Sequence, residues 1–302
     1  MRILLFISLL VLTPATVRAD ISAKDARKAI QTMLGASLPS SAVHVGAVSV
    51  GNEGTAQASA EVQAVFRVKQ VDGRWRLSEI RTGQDTWEQL DFVAQAVGAQ
   101  LPSGGCDAAS QFVRSASATE LNVKRARCLV AELLGVTLPS DQVRVRDISS
   151  FELPFGSESS ALIETLVQLE FRFARGARGW QVSELKSGSR EWVRIDTLAT
   201  ALTEIKRRAA ANELIAMADA LTDFRRARGS FVVSDKQAVL IDNLSPQYLK
   251  RVIRLDPWHR PYQYEGTQDH FSLRCIGEDG KPRTGDDITI SDTPGKYTLT
   301  QF

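Results

Sequence analysis

The first two-thirds of the chain carries the same sequence pattern twice. The matched positions are Met33–Ser40 with Leu133–Ser140, Phe66–Val68 with Phe171–Phe173, Trp75 with Trp180, and Trp87 with Trp192. Their order agrees throughout, and their spacing agrees apart from a small insertion between the first and second of these matches, which makes chance an unsatisfactory explanation. We therefore infer a duplicated structural unit, because self-similarity of this kind is the sequence signature of repeated supersecondary structure.

Each copy has the hydrophobic pattern of a small unit with helices and strands. Apolar residues first recur at helical spacing, and a later stretch alternates between apolar and polar residues. Asp72-Gly73 predicts a tight turn into a third strand, and Trp87 and Trp192 each head a further helix. The helical positions are Ala26, Ile30, Met33 and Leu34, matched by Ala126, Val130, Leu133 and Leu134. The strand positions on one face are Val62, Ala64, Phe66 and Val68, matched by Val167, Leu169, Phe171 and Phe173.

These patterns predict an α+β protein with two tandem helix/three-strand/helix modules and a different C-terminal domain. The repeated tryptophans are expected in the module cores. The predicted divisions are residues 1–19 for a signal peptide, 20–100 for module 1, 101–119 for a linker, 120–205 for module 2 and 206–302 for the last domain.

The first residues have the pattern of a cleavable signal peptide. Arg2 is followed by the apolar run Ile3–Leu12, and Val17-Arg18-Ala19 offers small residues at a cleavage site after Ala19. Ten apolar residues are too few to span a bilayer, so an anchor is less well supported. We therefore expect an exported protein of the periplasm or cell envelope, with no membrane span in the mature chain.

The charge balance argues against nucleic acid as a partner. Removing Arg2 and Arg18 from 37 basic residues leaves 35, which equals the 35 acidic residues. A chain without net charge has no long-range field that attracts phosphates.

Three cysteines, Cys106, Cys128 and Cys275, leave two alternatives open. An exported chain meets an oxidising compartment, so Cys106 and Cys128 could form a disulfide, and equally all three could be small buried thiols. No cysteine or histidine cluster has the spacing of a zinc site.

The pattern changes after module 2. A helix is expected to run from about Trp192 to Gly229, because no proline or glycine interrupts it, and Lys206-Arg207-Arg208 is predicted to be a solvated face of that helix. The block Leu255–Tyr264 then carries Asp256-Pro257-Trp258 and a second proline. A strand at Phe271–Ile276 leads into an acidic, glycine-containing loop that ends at Ile288.

In combination, this helix, the Asp-Pro-Trp block and the acidic loop resemble the soluble globular domain of the type II secretion major pseudopilin, protein G. The similarity covers about residues 209–291. It implies a helix with a small antiparallel sheet. Since the resemblance is to the soluble domain alone, we expect a role near the secretion machine more than one as its filament subunit.

The resemblance also implies a structural calcium ion in the acidic loop. By position, Asp279 and Asp286 would donate side chains with Asp287 assisting, and Ile276, Lys281 and Thr284 would donate backbone carbonyls. Calcium takes several oxygen ligands of these kinds. The spacing is not that of an EF-hand. Lys281 and Arg283 add positive charge that would weaken cation binding, and an acidic turn without metal is the alternative.

The sequence contains no arrangement that predicts catalysis. It has no Ser/His/Asp set, nucleophile elbow, zinc motif or phosphate loop, and no small-molecule substrate is inferred. We therefore expect a non-enzymatic protein that contacts protein partners, in the first place components of a type II secretion system. The alternative is an exported binding protein that reuses the pseudopilin-like domain outside secretion.

Overall fold

The computed structural model describes residues 21–34, 41, 43–51, 54–71, 73–83, 86–101, 106, 121–153, 156–293 and 296–301. The predicted signal peptide (residues 1–19), Asp72 of the predicted turn, and most of the predicted linker lie outside these residues.

The described residues form helices and antiparallel strands, which confirms the α+β class. The helices are α1 (Ala23–Leu34), α2 (Leu90–Ala96), α3 (Val123–Leu134), α4 (Ile195–Arg228) and α5 (Gln237–Leu244). The strands are β1 (Val43–Val50), β2 (Thr55–Val71), β3 (Arg74–Arg81), β4 (Trp87–Gln89), β5 (Val143–Leu153), β6 (Gly156–Gly176), β7 (Gly179–Ser187), β8 (Val193–Arg194), β9 (Gln263–Gly266), β10 (Phe271–Cys275), β11 (Ile288–Thr293) and β12 (Lys296–Gln301).

Glycines end two of these helices. Gly135 follows α3 with φ 67° and Gly229 follows α4 with φ 84°, and each donates its N–H to a carbonyl of the last helical turn. This left-handed conformation is the one that glycine adopts without a Cβ penalty. The helix predicted toward Gly229 is therefore confirmed, although it begins at Ile195, three residues after Trp192.

The chain groups into two compact units. Among the described residues, the first contains 21–76, 81–87 and 106–192, and the second contains 77–80, 88–101 and 193–301. Helix α4 thus belongs wholly to the second unit and crosses the boundary predicted at residue 206.

In the first unit, the long strands of the two copies pair with each other. The sheet order is β3-β2-β6-β7, with β1 beside β2 and β5 beside β6. Val62 pairs with Val167, its own match in the other copy. On either side of it, Phe66 pairs with Ile163 and Ala58 with Phe171, so the two matched phenylalanines take equivalent places. An approximate two-fold axis therefore passes through the β2–β6 ladder, as in a symmetric dimer made within one chain.

The predicted strand faces agree with the structure. Val62, Phe66 and Val68 are buried, as are Phe171 and Phe173 in the second copy. Ala64 and its match Leu169 are both only half-buried. Helix α1 packs against β1 of its own copy and β7 of the other copy, so the core of this unit contains residues of both copies.

The repeated tryptophans divide into two groups. Trp75 is buried in the core as predicted. Trp180, its match in the second copy, is only half-buried, as are Trp87 and Trp192, and the core prediction is wrong for these three. The guanidinium of Arg67 lies 4.1 Å from the Trp87 ring centroid, and that of Arg172 lies 4.0 Å from the Trp192 centroid. Trp87 and Trp192 thus each make a cation–π contact with an arginine of their own copy.

The structure resolves the alternatives for two of the cysteines. Cys106 and Cys128 form a disulfide with a Cα–Cα distance of 5.7 Å, and Cys275 is a free, buried thiol. The disulfide ties Cys106, which lies in the predicted linker, to α3.

Removing this disulfide is expected to destabilise the first unit. It closes a loop between residues 22 apart in sequence, for which the chain-entropy relation gives about 3 kcal/mol. Cys106→Ser/Cys128→Ser should therefore lower the free energy of unfolding of this unit by about that amount in a urea titration. A reducing agent should produce the same loss in the unaltered protein and no further loss in the variant. Equal stability of the two proteins under oxidising conditions would contradict the disulfide.

In the second unit, α4 packs against a four-stranded antiparallel sheet of order β12-β11-β10-β9. The core between them contains the apolar face of α4 and the inward residues of the strands. Its most completely buried members are Ala210, Leu214, Met217, Ala218, Leu221, Leu240, Leu244, Leu273, Cys275, Ile288 and Ile290.

Helix α4 contacts α2, and a buried charged pair joins α4 to Glu88 of β4. Lys206 Nζ donates to Glu88 Oε2 at 2.6 Å, and both residues are buried. The prediction that Lys206 belongs to a solvated face is therefore wrong. Lys206 is buried because it pairs with Glu88, which lies 118 positions away in sequence. Helical periodicity within 206–208 cannot reveal such a partner.

No helix in the described part of the chain is both long and apolar enough to cross a membrane.

Candidate metal site

The acidic loop spans residues 276–287 and connects two neighbouring strands. Its ends are fixed because Cys275 of β10 pairs with Ile288 of β11, and both of these residues are fully buried. The loop itself lies at the surface of the second unit, with Glu278, Asp279, Lys281 and Arg283 exposed.

Three carboxylates of the loop surround one hydroxyl group. The Thr284 Oγ1 atom lies 2.6 Å from Asp286 Oδ1, 3.3 Å from Asp279 Oδ1 and 3.4 Å from Asp287 Oδ1. The Lys281 carbonyl oxygen is also 2.9 Å from it. A hydroxyl has one proton to donate, so it can satisfy only one of these four acceptors at a time.

The three carboxylates concentrate negative charge in this part of the loop, although backbone amides donate to each of them. Such an arrangement favours a cation that accepts several oxygen ligands at once. Among the described residues, the only three His, Cys, Asp or Glu ligand atoms within 4.8 Å of one another belong to Cys106, Cys128 and Glu132, and these cysteines form the disulfide. The acidic loop instead collects its oxygens around Thr284.

Backbone amides hold the two predicted side-chain ligands. Asp286 Oδ2 accepts from the Asp279 amide at 2.9 Å, and Asp279 Oδ1 accepts from the Lys281 amide at 2.7 Å. Partial burial raises the pKa of the Asp286 carboxyl, but the hydrogen bonds from Thr284 and from the loop amides outweigh it, so this pKa lies below its usual range. Asp286 is therefore ionised at neutral pH, as a calcium ligand must be.

Asp287 occupies a different environment from its neighbour. It is fully buried, accepts from the Arg283 amide at 2.6 Å through Oδ2, and lies 3.9 Å from Arg274 Nε. These contacts close the C-terminal end of the loop. Asp287 thus secures the loop with one oxygen and faces Thr284 with the other, and its assisting role toward a metal stays a prediction.

The three predicted carbonyl donors have different surroundings. The Lys281 carbonyl faces the Thr284 hydroxyl, and the Thr284 carbonyl accepts from the Asp287 amide at 3.2 Å. Ile276 is half-buried and follows β10 directly. The structure therefore brings Asp279, Asp286, Asp287, Thr284 and Lys281 together and places Ile276 at the entrance of the loop.

Gly277 is required by this geometry. Its φ is 60°, and a Cβ at this position would collide with the Asp286 carboxylate. Glycine is the residue that tolerates both conditions. The carboxylate can approach the backbone here only because position 277 has no side chain.

The Asp-Pro-Trp block is folded by its own carboxylate. Asp256 is buried, and its Oδ1 accepts from the amides of Trp258 and Arg260, each at 2.9 Å. The Cys275 thiol donates to Asp256 Oδ2 at 3.2 Å. Burial raises the pKa of Cys275 to about 12, so this free thiol stays protonated and is a poor nucleophile.

Sequence reasoning missed two groups at the loop. The Thr284 hydroxyl lies at the centre of the carboxylates, whereas only its carbonyl was predicted to take part. Arg260 donates to the carbonyl oxygens of Gly277 and Glu278 from outside the loop, the latter at 2.9 Å. A lone arginine inside a proline-rich block carries no signal for a contact with residues 17 and 18 positions later.

The donor set is suitable for a hard cation such as calcium. It consists of carboxylate, carbonyl and hydroxyl oxygens with no nitrogen or sulfur among them. Oxygen ligands of this type select calcium or magnesium over zinc and copper. The donor atoms present are therefore of the kind that calcium, the ion implied by the resemblance, prefers.

Comparison with known proteins finds one family model that matches the segment containing this site. The family described as type II secretion system (T2SS), protein G, matches residues 198–292, which confirms the resemblance. The match begins inside α4, ends in β11 and includes the Asp-Pro-Trp block and the acidic loop. The matched family is structural, not catalytic. No significant match exists among curated proteins or among solved structures.

Proposed function

We propose that this protein is an exported, non-enzymatic component or partner of a type II secretion system, with a pseudopilin-like domain that calcium stabilises. The observation that carries the proposal is the acidic loop, which gathers three carboxylates around one hydroxyl inside the segment that matches protein G. The role we assign to the loop is structural, because it connects the two core strands β10 and β11.

Calcium would act as a clamp on the loop between β10 and β11. Asp279, Asp286 and Thr284 supply the side-chain oxygens, and Lys281 supplies a carbonyl. An ion that binds only the folded loop stabilises the folded domain in proportion to the logarithm of its concentration. The exposed Lys281 and Arg283 side chains weaken the attraction only in part, because exposed charges are screened by solvent and salt.

Protein contact is better supported than catalysis. The free thiol of the second unit is buried and protonated, and its neighbour Asp256 is fully engaged in hydrogen bonds. In the family that the domain matches, subunits act by assembling with other proteins of the secretion machine. The two paired modules of the first unit are then the part that distinguishes this protein from an ordinary pseudopilin.

A pull-down from envelope extract tests the proposal. We expect the full chain to retain a component of the type II secretion machinery in calcium and to lose most of it in chelator. Asp279→Ala/Asp286→Ala should behave in calcium as the unaltered chain does in chelator. Retention of envelope proteins from outside the secretion system, with none from within it, would instead support the exported binding protein.

A further inference from the structure

Arg260 connects the Asp-Pro-Trp block to the acidic loop. Its guanidinium donates from Nη1 to the Gly277 carbonyl and from Nη2 to the Glu278 carbonyl at 2.9 Å. Gly277 is buried, so its carbonyl has little access to water as an alternative partner. Two donors in one rigid plane fix the direction of two successive carbonyls, which a single ammonium group does less well.

Arg260 is itself held in place. Its amide donates to Asp256 Oδ1 at 2.9 Å, and its carbonyl accepts from the Asp256 amide at 2.7 Å. Because Asp256 is only 3% exposed, the backbone of Arg260 is anchored to the core of the domain. The guanidinium therefore acts on the loop from a fixed base.

The loop is shaped to receive this guanidinium. Gly280 has φ 67°, and a Cβ at this position would lie 2.6 Å from Arg260 Cζ. Such a separation is a collision, so only glycine lets the arginine lie against the loop. Glycine is thus needed at two positions of this loop for different steric reasons. At Gly277 it leaves space for the Asp286 carboxylate, and at Gly280 it leaves space for the Arg260 guanidinium.

The residue that follows these two carbonyls is Asp279, a predicted side-chain ligand of calcium. Asp279 follows Glu278 directly, and its amide donates to Asp286 Oδ2 at 2.9 Å. Fixing the backbone at Gly277 and Glu278 therefore fixes where Asp279 meets Asp286. On the other side, Glu278 Oε2 accepts from Thr203 Oγ1 of α4 at 3.1 Å, which adds a second anchor to the same residue.

We propose that Arg260 is a positioning residue that pre-organises the acidic loop for calcium. Its guanidinium donates to backbone carbonyls of the loop rather than to the loop carboxylates, so it orders the loop without occupying the site. This inference rests on the proposed calcium function. The positive charge of Arg260 repels a bound cation. We expect the gain from ordering the loop to exceed this repulsion, because residues outside the ligand shell typically change metal affinity by about 10- to 100-fold.

Three variants separate ordering from charge. Arg260→Lys retains the charge and loses the paired donors, and Arg260→Met loses both. Arg283→Met removes an exposed charge beside the loop and keeps the backbone amide that binds Asp287. We expect both Arg260 variants to weaken calcium binding by roughly 10-fold in calorimetry, and Arg283→Met to bind equally or more tightly.

Hydrogen exchange without calcium gives a second measurement. The segment Asp279–Arg283 should lose protection in both Arg260 variants by a factor on the order of 10 and keep it in Arg283→Met. Unchanged protection and unchanged affinity in Arg260→Lys would overturn the inference, and tighter binding by Arg260→Met would show that charge dominates. If the unaltered chain fails to bind calcium, the proposed calcium function fails, and the exchange result still decides whether Arg260 orders the loop.

Discussion

Replacing Lys206 by Met is expected to lower the free energy of unfolding of the second unit by about 3–5 kcal/mol, the usual cost of removing one partner from a buried ion pair. Lys206 Nζ and Glu88 Oε2 are 2.6 Å apart, and the two side chains are only 10% and 12% exposed. The other oxygen of Glu88 is buried without any partner. Lys206→Met therefore leaves a buried carboxylate with no compensating charge.

The double variant Glu88→Leu/Lys206→Met is the informative companion. Replacing both members of a buried pair with apolar residues is often neutral or stabilising, so we expect it to recover most of the lost stability. Lys250→Met, which removes an exposed lysine of the same unit, should change stability by no more than about 0.5 kcal/mol. Denaturant titrations of the three variants measure these differences. A loss of less than about 1 kcal/mol in Lys206→Met would mean that the pair is solvated.

Truncating either of two matched phenylalanines is expected to destabilise the first unit by about 3–5 kcal/mol, as is typical of Phe→Ala in a core. Phe66 and Phe171 are both fully buried and occupy equivalent places across the two-fold axis of the β2–β6 ladder. Because the ladder joins both copies into one sheet, each substitution should lower the stability of both copies together.

Tryptophan fluorescence during urea titration provides the measurement. Phe66→Ala and Phe171→Ala should each give a single transition with a lower midpoint and an unchanged slope for this unit. Val71→Ala, at an exposed position at the end of the same strand β2, should leave the midpoint nearly unchanged. Two separate transitions, with only one of them shifted in each variant, would show that the copies fold independently.

The sequence predicts individual elements well where a local pattern determines them. The alternation from Val62 to Val68 gave the correct inward face of β2, and Gly229 marked the end of α4. These features depend on neighbouring residues and on the φ angles that glycine allows. They can therefore be inferred without knowledge of the tertiary fold.

The pairing of the two copies could not be inferred in the same way. A repeat shows that two segments have similar structure, but β2 and β6 carry no local signal that they are neighbours. The burial of Lys206 and the contact of Arg260 with the loop have the same origin, because their partners lie 118 and 17 or 18 positions away. Such contacts depend on the completed fold.

The candidate site was predicted in its acidic residues and less completely in its surroundings. Asp279 and Asp286 stand out as acids in a glycine-rich loop, and the structure brings them to the same hydroxyl. The central place of the Thr284 hydroxyl and the separate demands on Gly277 and Gly280 follow from the path of the backbone. The backbone path of the loop cannot be inferred from its composition.

Thermal unfolding with calcium and with chelator is the most direct test of a calcium-stabilised pseudopilin-like domain. At a calcium concentration about 100 times Kd, binding contributes about 2.7 kcal/mol, which should raise the Tm of the second unit by on the order of 10 °C. Asp279→Ala/Asp286→Ala should lose this rise. Asp235→Ala/Asp242→Ala, which removes two exposed acids of the same unit outside the loop, should retain it. The same Tm in calcium and in chelator for the unaltered chain would contradict the account.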